Sequence, residues 1–595
     1  MESAGWTVPG LLCVRNSANP DDVALWQMAA DGKWLASTWG DYHKAVASLA
    51  IGLRTLGVAQ GHRVGIMAAS CKEWDYAQLG ILAAGGVAIG LDPYGLDEHI
   101  QEIARRCDLT GIVVGNQALL DKLGSEVRKN LRFVVSIETG SEPDVIALDS
   151  LVSQNVDDKD KDWNHAQPDA VATIIFTSGT TGAPKGIEYS HRQMCLATAS
   201  VLAAFSDIRA GSHLACWLPL SNLFQRMINL CAIGCGAQTF YVADPRQIMR
   251  FLPDISPRLF IGVPRFYEKL YVGIQEALAT KPAWQQRLAQ WALRVGDRHQ
   301  VALRAGQLPG LLLKLQFALA ELVVLRKLRG ILGVNLQCMV SGSAPMPLWL
   351  LERFHAMGLP ILEAYGLSEN IIPVSMNRPG QFRFGTVGRP LQGCDIRLAS
   401  DGELLVRGPG VFSAYFGEDA ADTGIDQDGF LSSGDFARID DDGFITLIGR
   451  KSEIFKTSTG RRVAPASIES LLHRLPQVDY AVVFGAGRTL PTALLVVSEA
   501  AWQADRHQLC EHLRAAAALA LAALPTYLRP AGLAVTPQAL TIAGGELTAN
   551  LKLRRGTIEK NFSSALNELC MTIDNAAGAP FEAQSKDGRV LFFSL

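Results

Sequence analysis

Among the 11 cysteines of this 595-residue chain there is no CxxC pair and no Cys/His cluster at zinc-ligand spacing. That absence argues against a disulfide framework or a structural zinc site and points to reduced thiols packed in cores. Charge imbalance is also lacking: the formal net charge is −3, so composition gives no reason to expect nucleic acid as a partner. No apolar run is long enough to cross a bilayer. Ala515–Leu524 spans ten residues, and the stretch 310–325 is interrupted by Lys314, Gln316 and Glu321. The opening MESAGWTVPG lacks the basic region and apolar run of a signal peptide. Internal repeats and low-complexity tracts are missing as well. What the chain has is length and apolar content, 48% hydrophobic against 19% charged, enough for two or more domains with their own cores. These features predict a cytoplasmic protein, with a peripheral position on the inner face of a membrane left open.

The most informative stretch is TIIFTSGTTGAPKG at 173–186. Four apolar or β-branched residues, Thr173 to Phe176, predict a short strand running into a loop suited to a polyphosphate. Gly179, Gly182 and Gly186 let backbone N–H groups approach phosphate oxygens. Thr177, Ser178, Thr180 and Thr181 add hydroxyls, and Lys185 supplies a compact positive charge. The spacing is not that of a Walker loop, because only Ala183 and Pro184 separate Gly182 from Lys185, and Gly186 follows the lysine.

Along the chain, residues 39–140 alternate helix-like stretches (42–56, 97–107) with strand-like runs (63–68, 111–114, 133–137), the grammar of an α/β domain. A polar connector at 157–169 leads into the phosphate loop, and a second α/β stretch runs from about 191 to 338. Residues 384–450 are β-rich and punctuated by Asp-Gly turns, which predicts a small barrel or distorted sheet. Beyond a hinge near 451 the order strand, helix (468–475), strand (480–484), strand (493–497), helix (505–524) predicts a small α+β domain. The predicted fold class is therefore a multi-subdomain α/β protein. A large N-terminal domain, 1–451, carries α/β layers, a β-rich part and a helical insertion at about 270–330; it is hinged to a mobile C-terminal domain, 452–595.

The phosphate loop resembles that of the adenylate-forming superfamily, which includes acyl- and aryl-CoA synthetases, luciferases and adenylation domains. The resemblance extends over roughly 30–560 through an ordered series of weaker motifs. EAYGLSE at 363–369 resembles the family's YG(T/S)E box. The resemblance implies nucleotide binding by Glu363, Tyr365, Gly366 and Ser368, with Tyr365 over the adenine and Glu369 holding Mg²⁺ together with Thr181. SGSAPM at 341–346, after an apolar strand expected over 331–340, is similar to the family's turn beside the purine and implies contacts from Gly342, Ser343 and Ala344. SSGD at 432–435 and the following IGRKSEIFKTSTGRRVAP imply ribose binding by Asp435 and Arg450. TSTGRRVAP has the form seen in long-chain fatty acyl-CoA synthetases, with Gly460 beside the pantetheine channel. GELTANLKLRR at 545–555 resembles the catalytic-lysine segment, which assigns to Lys552 the charge facing the reacting carboxylate and α-phosphate. Thr181, Lys185 and Glu369 complete the implied catalytic set.

Two positions depart from the family. Asn222, in LPLSNLFQR, stands where a histidine near the acyl carboxylate is usual, and asparagine cannot act as a base. Ser452 stands at the hinge where Lys or Asp is usual. GVPRFYEKL at 262–270 resembles the long-chain synthetase segment leading into an extra helical insertion. Residues 281–330 carry nine basic and two acidic side chains, a net +7. Trp284, Leu288, Trp291 and Val295 recur there at helical spacing, either as a face that lies on an anionic membrane or as a face packed into the domain. The implied activity is ATP-dependent activation of a medium- to long-chain fatty acid to its acyl-adenylate, then transfer to coenzyme A, with ATP, Mg²⁺ and CoA as cofactors and co-substrates. Alternatives are a ligase loading an acyl carrier protein and an inactive acyl- or nucleotide-binding homologue.

Overall fold

Short Val/Ile/Ala-rich runs such as Gly111–Val114, Phe133–Ser136 and Leu259–Gly262 are buried along their whole length. Strands covered on both faces by helices have this composition, and two such parallel sheets form the larger part of the protein. The computed structural model describes residues 6–138, 142–153, 163–177, 185–418, 423–475, 477–503, 506–541, 544–547, 553–576, 579–585 and 589–595. The first sheet has seven strands in the order Val145–Ala147, Phe133–Ser136, Gly111–Val114, Arg63–Met67, Val87–Gly90, β1 (Val171–Thr177) and β2 (Lys185–Ser190). All neighbours are parallel except β1 and β2, which form an antiparallel hairpin at the edge.

The second sheet has nine strands. From one edge they run Arg389–Pro390, β4 (Asn370–Met376), β3 (Ile361–Leu367), Cys338–Ser341, Leu259–Gly262, His213–Cys216, Gln238–Tyr241, Val23–Met28 and Trp34–Thr38. Its centre is parallel and both edges are antiparallel. The strand expected over 331–340 is shorter than its apolar composition suggests: only Cys338–Ser341 pairs. Gly333 breaks it with φ +105°, and a Cβ there would come within 2.5 Å of the Ser256 backbone.

Two helices, α1 (Lys72–Ala83) and α2 (Leu223–Cys235), are buried over most of their length and join the sheets through a polar hub. Arg226 on α2 donates from Nε to Gln78 Oε1 on α1 at 2.7 Å and from Nη1 to Thr173 Oγ1 on β1 of the first sheet at 3.0 Å. Asn229 donates to Asp75 at 2.8 Å, and the Tyr241 hydroxyl of the second sheet donates to the same Asp75 oxygen. Burial pushes the Asp75 carboxyl up to about 6 and pulls the Arg226 guanidinium down to about 10, each opposed by attraction to the other.

The insertion forms α3 (Ala283–Arg304) and α4 (Leu311–Ala320), followed by a π turn over Glu321–Leu325 and the short helix Arg326–Gly330. Gly296 lets α3 approach the helix Leu348–Ala356: a Cβ there would lie 2.2 Å from the Ala356 carbonyl oxygen. Ala292 and Val295 pack with Ala320 and Leu325, with Trp291 and Phe317 against them. Of the expected amphipathic face, then, Val295 is buried, Leu288 and Trp291 are half-buried, and Trp284 is exposed.

By internal packing the chain divides into two units, one of residues 1–396, 406–431 and 441–445, the other of 397–405, 432–440 and 446–595. Residues 395–450 contain a four-stranded sheet in the order Asp395–Leu398, Glu403–Arg407, β5 (Leu431–Ile439), β6 (Ile445–Arg450), in the stretch that composition marks as β-rich. The C-terminal five-stranded sheet is Val478–Phe484, Thr492–Val497, Gly532–Thr536, Leu591–Ser594, Glu582–Gln584. Alternate residues divide between its faces. Ala481, Val483 and Leu495 pack on the helices Pro465–Leu472 and Arg506–Leu521. Val482, Phe484 and Leu494 pack on Arg555–Asn561 and Ser563–Ala576. The whole has the predicted class, a large α/β part with a smaller α+β part.

Candidate active site

The β1–β2 hairpin pairs Thr177 with Lys185 and Phe176 with Gly186, which brings together the described ends of the phosphate-loop motif. Ser178, Gly179, Thr180, Thr181 and Gly182 lie outside the described residues, as does Lys552. At the return of the hairpin the chain has little room for a side chain: a Cβ on Gly186 would stand 3.0 Å from both Ile174 and Phe416. Segment 411–418 therefore lies directly along β2. The Phe416 N–H donates to the Gly186 carbonyl at 2.8 Å, and Tyr415 bridges to Ile187.

The same segment reaches the acidic box. Leu367 pairs with Asn370 across β3–β4, which leaves Ser368 and Glu369 as the turn. The Phe412 N–H donates to the Glu369 carbonyl at 2.9 Å, the Tyr189 hydroxyl donates to the Ser368 carbonyl, and the Tyr415 hydroxyl donates to Glu369 Oε1 at 3.1 Å. Lys185 Nζ lies 4.4 Å from the centre of the Tyr415 ring and 3.2 Å from Glu418 Oε2. Two residues picked out some 180 positions apart in sequence, Lys185 and Glu369, are thus joined through one tyrosine. Lys185 is half exposed, so its pairing with Glu418 is a weak surface contact that a polyphosphate can replace.

Glu369 supplies a hard carboxylate, the donor Mg²⁺ prefers. Among the described residues no group of three or more His, Cys, Asp or Glu side chains comes together.

Beside this, Gly342, Ser343 and Ala344 form the turn after Cys338–Ser341. Ser343 has φ +74°, a left-handed conformation that costs a non-glycine residue roughly 1–2 kcal/mol and recurs at ligand sites. Glu363 fixes the far end of this turn: its Oε1 accepts the Met346 N–H at 3.1 Å, while the Glu363 carbonyl accepts from Asn377 at 2.9 Å. Burial pushes the Glu363 carboxyl up to about 7. Its observed work is to hold the turn. Tyr365 is buried; Gly366 and Ser368 are exposed.

Asn222 is the N-cap of α2, its Oδ1 accepting the Phe224 N–H at 3.0 Å. Asparagine is among the best residues for that position, which gives a structural reason for the departure from histidine. Phe224, in the first turn of α2, lies 3.8 Å from a Cβ built at Gly342, so the start of α2 and the 342–346 turn adjoin.

In the second unit, β5 and β6 bring together the two residues assigned to ribose. Arg450 Nε lies 3.0 Å from Asp435 Oδ1, with Asp435 almost fully buried and Arg450 exposed. Lys451 is pinned by Glu403 at 2.6 Å and Asp401 at 2.9 Å, which ties down the residue before Ser452. Gly460 has φ +78° at the exposed tip of the hairpin Phe455–Lys456/Arg462–Val463, with nothing within 4 Å of a Cβ built there.

Sequence reasoning missed Tyr415, Glu418 and the Arg226–Asp75 hub. The Gly- and aromatic-rich run GPGVFSAYFGE at 408–418 was the available signal for the first two. The hub had none, since its members are scattered over 170 positions.

Residues 14–416 match the AMP-binding enzyme family, and residues 453–572 match the AMP-binding enzyme C-terminal domain. The long-chain-fatty-acid–CoA ligase FadD15 of Mycobacterium bovis is 31% identical over 92% of this chain and 94% of its own length. Among solved structures, the adenylation domain of a carboxylate reductase from Mycobacterium chelonae superposes with a TM-score of 0.73 at 18% identity, covering 96% of this chain and 92% of that one. The O-succinylbenzoate coenzyme A synthetase of Bacillus subtilis, solved with ATP and magnesium ion, superposes with a TM-score of 0.68 at 20% identity, covering 92% and 98%. At those identities the structures speak for the fold alone. With a family match over most of its length and a relative of this similarity along nearly all of it, the chain belongs to the AMP-binding enzyme family.

Proposed function

We propose that this protein is an AMP-forming acid–thiol ligase that joins a medium- to long-chain fatty acid to coenzyme A. In the first half-reaction a carboxylate oxygen attacks the α-phosphorus of ATP, the bond to the bridging oxygen breaks, and pyrophosphate leaves. In the second, the CoA thiolate attacks the acyl carbonyl carbon and AMP leaves. The observation that carries the reading is the Lys185–Tyr415–Glu369 chain, which sets a phosphate-binding cation and a metal-binding carboxylate on one tyrosine. Thr177 to Lys185 grip the triphosphate, with Thr181 and Glu369 on Mg²⁺. Bound Mg²⁺ supplies charge neutralisation at the phosphate oxygens. Gly342, Ser343, Ala344 and Tyr365 border the purine, Asp435 and Arg450 hold the ribose, Gly460 borders the pantetheine, and Lys552 faces the developing charge at the α-phosphate.

A fatty acid as substrate is supported by the name of the FadD15 relative, which covers nearly the whole chain. The acid is ionised at neutral pH, so the first step needs no general base, and Asn222 in place of histidine does not impair it. Peripheral contact between the basic insertion and the inner face of a membrane belongs to the same reading; among the described residues no helix is long and apolar enough to cross one.

The deciding experiment measures pyrophosphate release over a panel of carboxylic acids of rising chain length, with and without CoA. Release that rises with chain length, and thioester formation with free CoA, are expected. Turnover only with an acyl carrier protein would instead make the protein a carrier-loading ligase, and no turnover with any acid would make it an inactive homologue.

A further inference from the structure

The insertion exposes an apolar face that the domain does not cover. Leu308, Leu311, Leu312, Leu315, Leu319 and Leu322 are each between 53% and 87% exposed. At 3.6 residues per turn, Leu311, Leu312, Leu315 and Leu319 fall within about 100° of the α4 circumference, and Leu322 follows in the π turn. The opposite side of α4 is the one that packs: Leu313 and Phe317 join Ala292, Val295, Ala320 and Leu325, and the Phe317 ring stacks on His299 with centres 3.9 Å apart. The helix is therefore anchored through one face and presents a ridge of leucines on the other. Contiguous apolar surface of this kind marks an interaction site.

Charge selects the occupant. Lys314, Arg326 and Lys327 are exposed in and just after α4. Residues 281–330 carry a net +7 although the whole chain carries −3, so the remaining residues sum to −10. A second copy docked face to face would set Lys314, Arg326 and Lys327 against the same cations of its partner, which is unfavourable. An anionic lipid surface offers both an apolar layer for the leucines and the opposite charge for the lysines and arginines, and basic side chains can keep their heads among phosphates while their stems lie along the ridge.

We infer that α4 is a membrane-docking helix, which lies in the plane of an anionic bilayer with Leu311, Leu312, Leu315, Leu319 and Leu322 inserted at the headgroup–acyl boundary. This differs from the Trp-bearing face of α3 that periodicity suggests, because there Val295 is buried and Leu288 and Trp291 are half-buried, which leaves Trp284 alone of the four exposed. The inference rests on the reading of the substrate as an amphiphilic acid that partitions into bilayers, and it gives that acid a short route to the enzyme.

The test uses the full chain and vesicles of phosphatidylcholine with or without phosphatidylglycerol, read by co-sedimentation without substrate. Wild-type protein is expected to bind the anionic vesicles at low salt, and weakly or not at all the neutral ones. The variant Leu312→Ala/Leu315→Ala/Leu319→Ala keeps strong helix formers at exposed sites and is expected to bind at least roughly tenfold more weakly. Lys314→Glu/Arg326→Glu/Lys327→Glu is expected to lose anionic binding and to be mimicked by raised salt. Both variants should retain the wild-type circular dichroism and pyrophosphate release with a short, water-soluble acid. Wild-type protein that ignores anionic vesicles overturns the inference, as does a leucine variant that binds like wild type. So does light scattering that shows a dimer which the leucine variant dissociates, for then the ridge is a self-interface. Vesicle binding together with no activation of any fatty acid would overturn the substrate reading and leave the docking helix standing.

Discussion

Replacing Arg226 by methionine tests the hub that joins the two large sheets. The guanidinium is fully buried, donates to Gln78 and Thr173, and lies 5.4 Å from the centre of the Trp74 ring. Methionine fills much the same volume but leaves two acceptors without their donor and leaves the Asp75 carboxylate without its cation. Leaving Gln78 and Thr173 without their donor and the buried Asp75 without the attraction of a nearby guanidinium that it does not directly pair with costs on the order of 3 kcal/mol. Removing both charges in Asp75→Asn/Arg226→Met should therefore restore part of the loss.

The pH dependence has a definite sign. The folded Asp75 carboxyl titrates at about 6, above its ordinary value of 3.8, so between those values the folded state holds a proton that the unfolded state has released. Stability falls as pH rises through that window. Without Arg226 the folded value moves higher still, and the fall continues to higher pH. Urea midpoints of Arg226→Met should thus lie further below wild type at pH 8 than at pH 5. Activity should fall as well, because Thr173 is four residues before Thr177 and Arg226 is one helical turn after Asn222. A cost below about 1 kcal/mol at pH 8, or a double variant no better than the single one, would refute the account of the hub.

Glu363→Gln keeps an acceptor for the Met346 N–H but removes a carboxyl that titrates at about 7 in place of 4.5. Wild type loses stability as pH rises between those values, so by the size of the shift the variant should be more stable at pH 8 by about 3 kcal/mol and equal below pH 4.5, read by denaturant titration at both pH values. Glu369→Gln should raise the Mg²⁺·ATP requirement at least roughly tenfold with an unchanged preference among acids; a changed preference would move Glu369 to the acyl pocket. Lys552→Ala should slow acid-dependent pyrophosphate release by on the order of 10²–10³ and leave thioester formation from supplied acyl-adenylate near wild type; equal loss in both half-reactions would refute its assignment to the first.

What could be read from sequence was whatever depends on local chemistry. The Thr/Ser/Gly/Lys loop is a short motif whose residue types state their task, whereas Glu369, Asp435 and Arg450 stand out only through the resemblance to the family's ordered series of motifs; the structure brings Lys185 to Glu369 through Tyr415 and Asp435 to Arg450. Periodicity likewise located the parallel strands, whose burial on both faces leaves continuous Val/Ile runs. It failed where a single steric contact overrides composition: Gly333 ends the apolar run 331–340 by meeting the Ser256 backbone, and Gly296 turns α3 onto Ala356. That second contact decides which apolar face of the insertion is free. With α3 seated through Ala289, Ala292, Val295 and Gly296, Trp291 is half-buried and Trp284 alone of its tryptophans stays exposed, while α4 carries a longer exposed row of leucines. Sequence pattern marks the face of α3 as amphipathic and shows 310–325 only as an interrupted apolar run; the packing of Gly296 on a carbonyl oxygen and of Leu313 and Phe317 on α3 is what leaves the leucines of α4 exposed.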